Sequence, residues 1–251
     1  MARGKVYLIG AGPGDPKLLT IRALELLSKA DVVVYDRLIG EAILNFAPKT
    51  ANKIYVGKRS GRHVVPQDKI NELLVSTALE GKIVVRLKGG DPFLFGRGGE
   101  EAEKLVEKGV LFEIIPGITS AITAPMYAGI PLTHRDNASS VVIVTGHQAG
   151  DSRKPIKWSK LAEAVDTIVI LMGIESLETI VKKLIDSGMN PNKPVAIVQQ
   201  ATMKVQKSVL ATLGTIVAEA KKNDVRPPAV VIIGEVVELG RKLAWFKKTL
   251  Y

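Results

Sequence analysis

Apolar, β-branched runs alternate with helix-period segments along the whole chain, and that alternation restricts the fold more than any other feature. Runs at 6–9, 32–35, 54–56, 83–85 and 111–115 read as strands. Between them, 21–29, 70–79 and 100–108 carry apolar residues at helical spacing, with Thr20 placed to cap the first. The pattern resumes with strands at 141–144, 167–171, 195–198, 208–212 and 229–233 and helices at 177–187 and 215–222. Strands that alternate with helices predict an α/β fold with a mainly parallel sheet covered on both faces. A polar, turn-like stretch near 131–139 interrupts the rhythm, so two α/β lobes are expected, 1–136 and 137–251, with a cleft between them.

In such sheets ligands bind beyond the carboxyl ends of the strands. The segment Arg86-Leu-Lys-Gly-Gly-Asp-Pro-Phe-Leu-Phe-Gly-Arg-Gly-Gly-Glu-Glu101 follows the fourth run and passes through such an end. Gly89 and Gly90 let main chain approach a ligand without a Cβ in the way. Asp91 adds an acceptor, Phe93 and Phe95 supply apolar walls, and Glu100 and Glu101 open a helix whose dipole favours acidic side chains. A Gly-rich turn needs none of these additions. Asp36 ends the second run and Lys58 follows the third, so a carboxylate and an ammonium face the same crevice, a pair suited to accepting and donating protons.

Gly10-Ala-Gly-Pro-Gly-Asp15 follows the first run but fits a dinucleotide fingerprint poorly. Its third glycine falls one residue early, and Pro13 removes an N–H that a phosphate would use. Asp36 still stands where a ribose-binding acid would, which keeps an NAD(P)-dependent oxidoreductase open.

Composition narrows the classes further. With no cysteine the chain has no disulfide, thiolate metal site or Cys nucleophile. His63, His134 and His147 share no metal-ligand spacing, so no metal is expected. No apolar run is long enough to cross a bilayer, and residues 1–5 lack a signal-peptide pattern; a cytoplasmic, non-membrane protein is expected. The net charge of +10 suits an anionic partner. The basic residues are dispersed and no aromatic-interleaved stripe accompanies them, so a nucleic-acid-binding module is the weaker alternative.

Taken together the motifs resemble the tetrapyrrole methylases. The resemblance rests on Val6-Tyr-Leu-Ile-Gly-Ala-Gly-Pro-Gly-Asp15, Tyr35-Asp-Arg-Leu38, Val56-Gly-Lys-Arg59, the Arg86–Glu101 block, Pro116-Gly-Ile-Thr119, Gly129-Ile-Pro-Leu-Thr-His-Arg135 and Thr145-Gly-His147. Met172-Gly173 and Pro228-Ala229 carry it into the second half. It implies S-adenosylmethionine held between two α/β lobes and a homodimer. It also implies two successive methylations of uroporphyrinogen III, through precorrin-1 to precorrin-2, on the way to sirohaem or cobalamin. Pro13, Gly89, Gly90, Asp91, Leu94, Thr119 and Ser120 would line the methyl-donor site, completed by Met172 and Ala201. Position 201 more often holds glycine in that family. Asp36 would be the proton acceptor and Lys58 the proton donor, with Arg37, Arg59, Arg86, Arg97, His134 and Arg135 facing substrate carboxylates. Some members carry an additional amino-terminal oxidising and chelating domain, and this chain is expected to lack those activities.

Overall fold

The computed structural model describes residues 4–57, 65–146 and 155–246. Two compact units divide between Thr119 and Ser120. The expected divide lay later, at 136/137. The difference comes from the helix Ser120–Tyr127, which packs on strands of the second unit and so belongs with it.

In the first unit strands and helices alternate strictly. They are β1 (Lys5–Gly10), α1 (Ile21–Leu27), β2 (Val32–Tyr35), α2 (Glu41–Leu44), β3 (Asn52–Tyr55), α3 (Gln67–Leu79), β4 (Ile83–Lys88), α4 (Gly98–Glu107) and β5 (Leu111–Ile115). The sheet order is β3-β2-β4-β1-β5, and every pairing is parallel. Successive strand residues point to opposite faces. Ile9, Val33, Val85 and Leu87 therefore pack beneath Ala23, Leu26 and Leu27 of α1 and Ile43 and Leu44 of α2. Val6, Leu8, Val34 and Val84 pack on the other face under Ile70, Leu74 and Ala78 of α3 and Leu105 of α4. Leu8, Leu74 and Leu105 are completely buried, each worth about 1.5–3 kcal/mol of apolar transfer. Thr20 caps α1, its Oγ1 accepting the Ala23 N–H at 3.1 Å.

The second unit holds α5 (Ser120–Tyr127), β6 (Val141–Thr145), α6 (Trp158–Ala164), β7 (Thr167–Leu171), α7 (Leu177–Asp186), β8 (Pro194–Gln199), β9 (Lys207–Thr212), α8 (Ile216–Lys222), β10 (Ala229–Ile233) and α9 (Gly240–Leu243). Its sheet order is β6-β7-β10-β8-β9. Here the expectation of a mainly parallel sheet fails. Only β6 and β7 pair in parallel, while β10 runs antiparallel to both β7 and β8, and β9 antiparallel to β8. The physical reason is connection length: residues 200–206 are too few for a crossover, so β9 must fold back on β8.

Candidate functional site

The carboxyl ends of β1, β4 and β5 meet where three glycines touch. A Cβ on Gly10 would lie 2.5 Å from the Gly117 Cα, and one on Gly117 would lie 2.2 Å from the Gly90 carbonyl oxygen. Only main chain fits there. Gly12 and Gly90 exchange hydrogen bonds, Gly90 N–H to Gly12 O at 2.7 Å and Gly12 N–H to Gly90 O at 3.2 Å. The Asp91 carboxylate closes the arrangement. Its Oδ1 accepts the Phe93 N–H at 2.8 Å and its Oδ2 accepts the Gly117 N–H at 3.1 Å. Asp91 thus shapes this loop rather than standing clear of it. Beyond it, Leu94 is half-buried and Phe93 and Phe95 are exposed, Phe95 with a left-handed φ of 53°. Pro13, Gly89, Gly90 and Thr119 are half-buried around the same strand ends.

Asp36 stands at the end of β2 with its side chain 28% exposed. Its Oδ1 accepts the Leu38 N–H at 3.0 Å, and its Oδ2 lies 3.6 Å from Nη2 of Arg86. Arg86 departs from its expected role. It is 4% exposed and turned into the interior, where its guanidinium donates to Glu101 Oε1 at 3.1 Å and to the carbonyls of Val34 and Leu87. A strand-end arginine whose side chain points under the sheet finds interior carboxylates before it finds a ligand.

Glu101, wholly buried on α4, was expected only as a helix-opening acid. Its Oε1 accepts from Arg86 Nε, from Lys88 Nζ at 3.0 Å and from Gln67 Nε2 at 3.1 Å. Burial, reinforced by the neighbouring Arg86 charge, holds the Lys88 ammonium below the usual lysine range, against the pull of Glu101. The readable signal was phase. Glu101 shares a helix face with Gly98, Ala102 and Leu105, which are also buried, whereas Glu100 points outward.

Of the expected substrate contacts, Arg37, Arg97 and Arg135 are exposed and His134 is half-buried. Arg97 is engaged by Glu100 at 2.6 Å, which raises the guanidinium pKa and lowers that of Glu100. His134 Nδ1 accepts the Asp136 N–H at 3.2 Å. Lys58 and Arg59 lie outside the described residues, as do His63 and His147. In the second unit, α5 begins at Ser120, and Ala201 is buried at 8% exposure. Met172, with a φ of 54°, lines a cavity of about 230 Å³ with Gly146, Trp158, Glu175, Ser176 and Lys183. Among the described residues no group of three or more histidine and carboxylate side chains could hold a metal ion. No helix among them is long and apolar enough to cross a membrane.

A family model of tetrapyrrole (corrin/porphyrin) methylases matches residues 5–217. The chain belongs to this family. Tetrapyrrole methylases that it resembles include the uroporphyrinogen-III C-methyltransferase of Methanocaldococcus jannaschii, 55% identical over 94% of this chain and 98% of that protein. The siroheme synthase of Pseudoalteromonas atlantica is 54% identical over 97% of this chain but 53% of its own length. The chain therefore spans about half of the siroheme synthases it matches. Among solved structures, the uroporphyrin-III C-methyl transferase of Thermus thermophilus, complexed with S-adenosyl homocysteine, superposes with a TM-score of 0.81. It is 42% identical and the alignment covers 94% of each chain. The misfit of Gly10–Asp15 to a dinucleotide loop accords with this family assignment, and the oxidoreductase alternative has no support from it.

Proposed function

We propose that this protein is an S-adenosylmethionine-dependent C-methyltransferase that methylates uroporphyrinogen III twice, through precorrin-1, to precorrin-2. The observation that carries the proposal is the near full-length match to proteins bearing that activity in their names, at 55% identity in one case. The first unit fits such a methyl donor. The neutral, largely apolar adenosyl part of the donor suits a cradle of glycine main chain and apolar Leu94 and Phe95. When bound, the donor supplies an electrophilic methyl on a sulfonium; the C–S bond breaks, its electron pair stays on sulfur, and a C–C bond forms to the substrate.

The attacking pyrrole carbon is electron-rich, so the protein needs no activated nucleophile of its own. Positioning is its main contribution. Methylation leaves a cationic ring that must lose a proton, and Asp36, open on one side and held by the Leu38 N–H on the other, is the proposed acceptor. Lys58 is the proposed proton donor. Arg37, Arg59, Arg97, His134 and Arg135 are the proposed contacts for the substrate's carboxylates, which arginine binds well in bidentate geometry. Arg86, paired inside, is assigned to holding Asp36 instead. The proposed working form is a cytoplasmic homodimer.

Anaerobic incubation with uroporphyrinogen III and S-adenosylmethionine should add two methyl groups by mass spectrometry. Asp36→Asn should lower turnover about 10²-fold or more while S-adenosylhomocysteine binding holds. Unchanged turnover would remove Asp36 from the mechanism.

A further inference from the structure

One row of the second sheet runs through Thr145, Leu171, Val230, Val198 and Ser208, across β6, β7, β10, β8 and β9. Just past this row the chain leaves the sheet at Gly146, Met172 and Gln200. Three residues here are left-handed without being glycine: Met172 at φ 54°, Gln200 at 47° and Thr202 at 71°. Thr202 is the least ordinary of them, because a β-branched side chain rarely tolerates that region. Such conformations persist only where the surroundings hold them. Ala201, 8% exposed, lies between two of them, so its main chain keeps its place only while the 200–202 turn is held.

We infer that Gln206 is a positioning residue for methyl-donor binding: one side-chain amide holds the 200–202 turn and ties it to the carboxyl end of α5. The inference rests on the methyl-donor reading, in which Ser120, Met172 and Ala201 line the donor site. Gln206 Oε1 accepts the Thr202 N–H at 2.9 Å, and Gln206 Nε2 donates to the Tyr127 carbonyl at 3.0 Å. The amide does both in one orientation only, since one end accepts and the other donates. Gln206 is half-buried, where water competes less for either bond.

The near side of the turn is secured elsewhere. The Gln200 N–H donates to the Pro228 carbonyl at 3.0 Å, and Gln199 Oε1 accepts the Arg226 N–H at 2.9 Å. Neither bond reaches Thr202, whose N–H goes to Gln206. Met203, Lys204 and Val205 are exposed, so the link has little apolar burial of its own to fix it. The helix at the other end of the tether is firmly placed. α5 begins at Ser120 and packs on β7, β8 and β10. Gln206 therefore joins the two segments of this unit that carry Ser120 and Ala201.

A neighbouring bond separates positioning from helix stability. Trp245 Nε1 donates to the Met126 carbonyl at 2.9 Å, one residue before Tyr127, and that carbonyl also accepts the Gly129 N–H at 3.0 Å. Trp245 thus secures the same end of α5 from outside the 200–206 link.

The experiment is calorimetric titration of the full chain with S-adenosylhomocysteine, together with kcat and with KM for S-adenosylmethionine and uroporphyrinogen III. The proteins are the parent, Gln206→Met, Gln206→Glu and Trp245→Phe. Gln206→Met keeps the side-chain length and removes both bonds. It should weaken S-adenosylhomocysteine binding and raise KM for S-adenosylmethionine about tenfold, the effect of about two ordinary hydrogen bonds on an equilibrium. Both kcat and KM for uroporphyrinogen III should stay within about twofold, because the loss falls on donor binding and not on the transition state alone. Gln206→Glu keeps an acceptor for Thr202 but sets a carboxylate oxygen against the Tyr127 carbonyl, and should weaken binding by at least about threefold. Trp245→Phe should bind within about twofold of the parent. Binding within about twofold in Gln206→Met, an equal loss in Trp245→Phe, or a fall in kcat with KM unmoved overturns the inference, while a methylating parent leaves the proposed activity intact. A parent that neither binds S-adenosylhomocysteine nor adds methyl groups overturns both. If Gln206→Met does not fold, Gln206→Glu decides alone by the same twofold limit.

Discussion

Gly117→Ala is the most direct probe of how the first unit builds its strand-end surface. The new Cβ would sit 2.2 Å from the Gly90 carbonyl oxygen and 2.6 Å from both the Cα and the carbonyl carbon of Gly10. All three are main-chain atoms, so no rotamer change relieves the clash; two strand ends must part by about 1 Å. Overpacking of this kind costs about 1–3 kcal/mol. The separation also strains the Gly12–Gly90 exchange and the Gly117 N–H to Asp91 bond, each worth about 0.5–1.5 kcal/mol net. A total of about 3–5 kcal/mol is expected, lowering the melting midpoint by on the order of 10 °C. Gly99→Ala is the control, since a Cβ at Gly99, on α4, meets nothing within 4 Å. It should leave stability unchanged or raise it by about 0.5–1 kcal/mol. The assays are calorimetric melting and titration with S-adenosylhomocysteine. If Gly117→Ala melts within about 2 °C of the parent and binds that ligand within about twofold, the close-contact argument is wrong.

Two further changes probe the frame that carries the site. Asp166 gathers Ser139 and Ser140 through both hydroxyls and both N–H groups, which hold its pKa down at about 2 from an ordinary 3.8. A depressed carboxylate contributes stability above its unfolded pKa and loses it as pH falls through the folded one. The stability gap between the parent and Asp166→Asn should therefore narrow as pH drops from about 4 to about 2, read by urea unfolding at each pH. Thr20→Ala removes the cap bond to the Ala23 N–H and should cost about 1 kcal/mol in the same assay, with no change in ligand affinity.

Strands were the most legible part of this chain, because each is a short β-branched run between turn signals, and every strand expected from the sequence is present. Direction was less legible. Alternation of apolar residues reports which face is buried, not whether a neighbour runs the same way, so the antiparallel β10 and β9 had no local mark beyond the short 200–206 link. The helices Glu41–Leu44 and Gly240–Leu243 are too short to show a period. Within the site, position at a strand end was enough to single out Asp36, Gly89 and Gly90. The inward turn of Arg86 was not readable, because the sequence alone does not say which side of β4 faces α4. Glu101 was hidden by chemistry: a glutamate in a first turn is ordinarily solvated, and only its phase with Ala102 and Leu105 marked it as interior.

The contrast between the two sheets also bears on how the chain reaches its native state. In the first unit each strand pairing is parallel and needs an intervening crossover, so every ladder closes a long loop before any hydrogen bond forms. In the second unit, β8 and β9 pair across the 200–206 link as a hairpin, the cheapest ladder to close among the described residues. That hairpin offers β10 an edge on which to assemble the remaining strands. The second unit thus has a local starting point for its sheet, whereas the first, which carries Asp36 and the glycine cradle, shows no such hairpin among its described residues and relies on its helices to bring distant strands together.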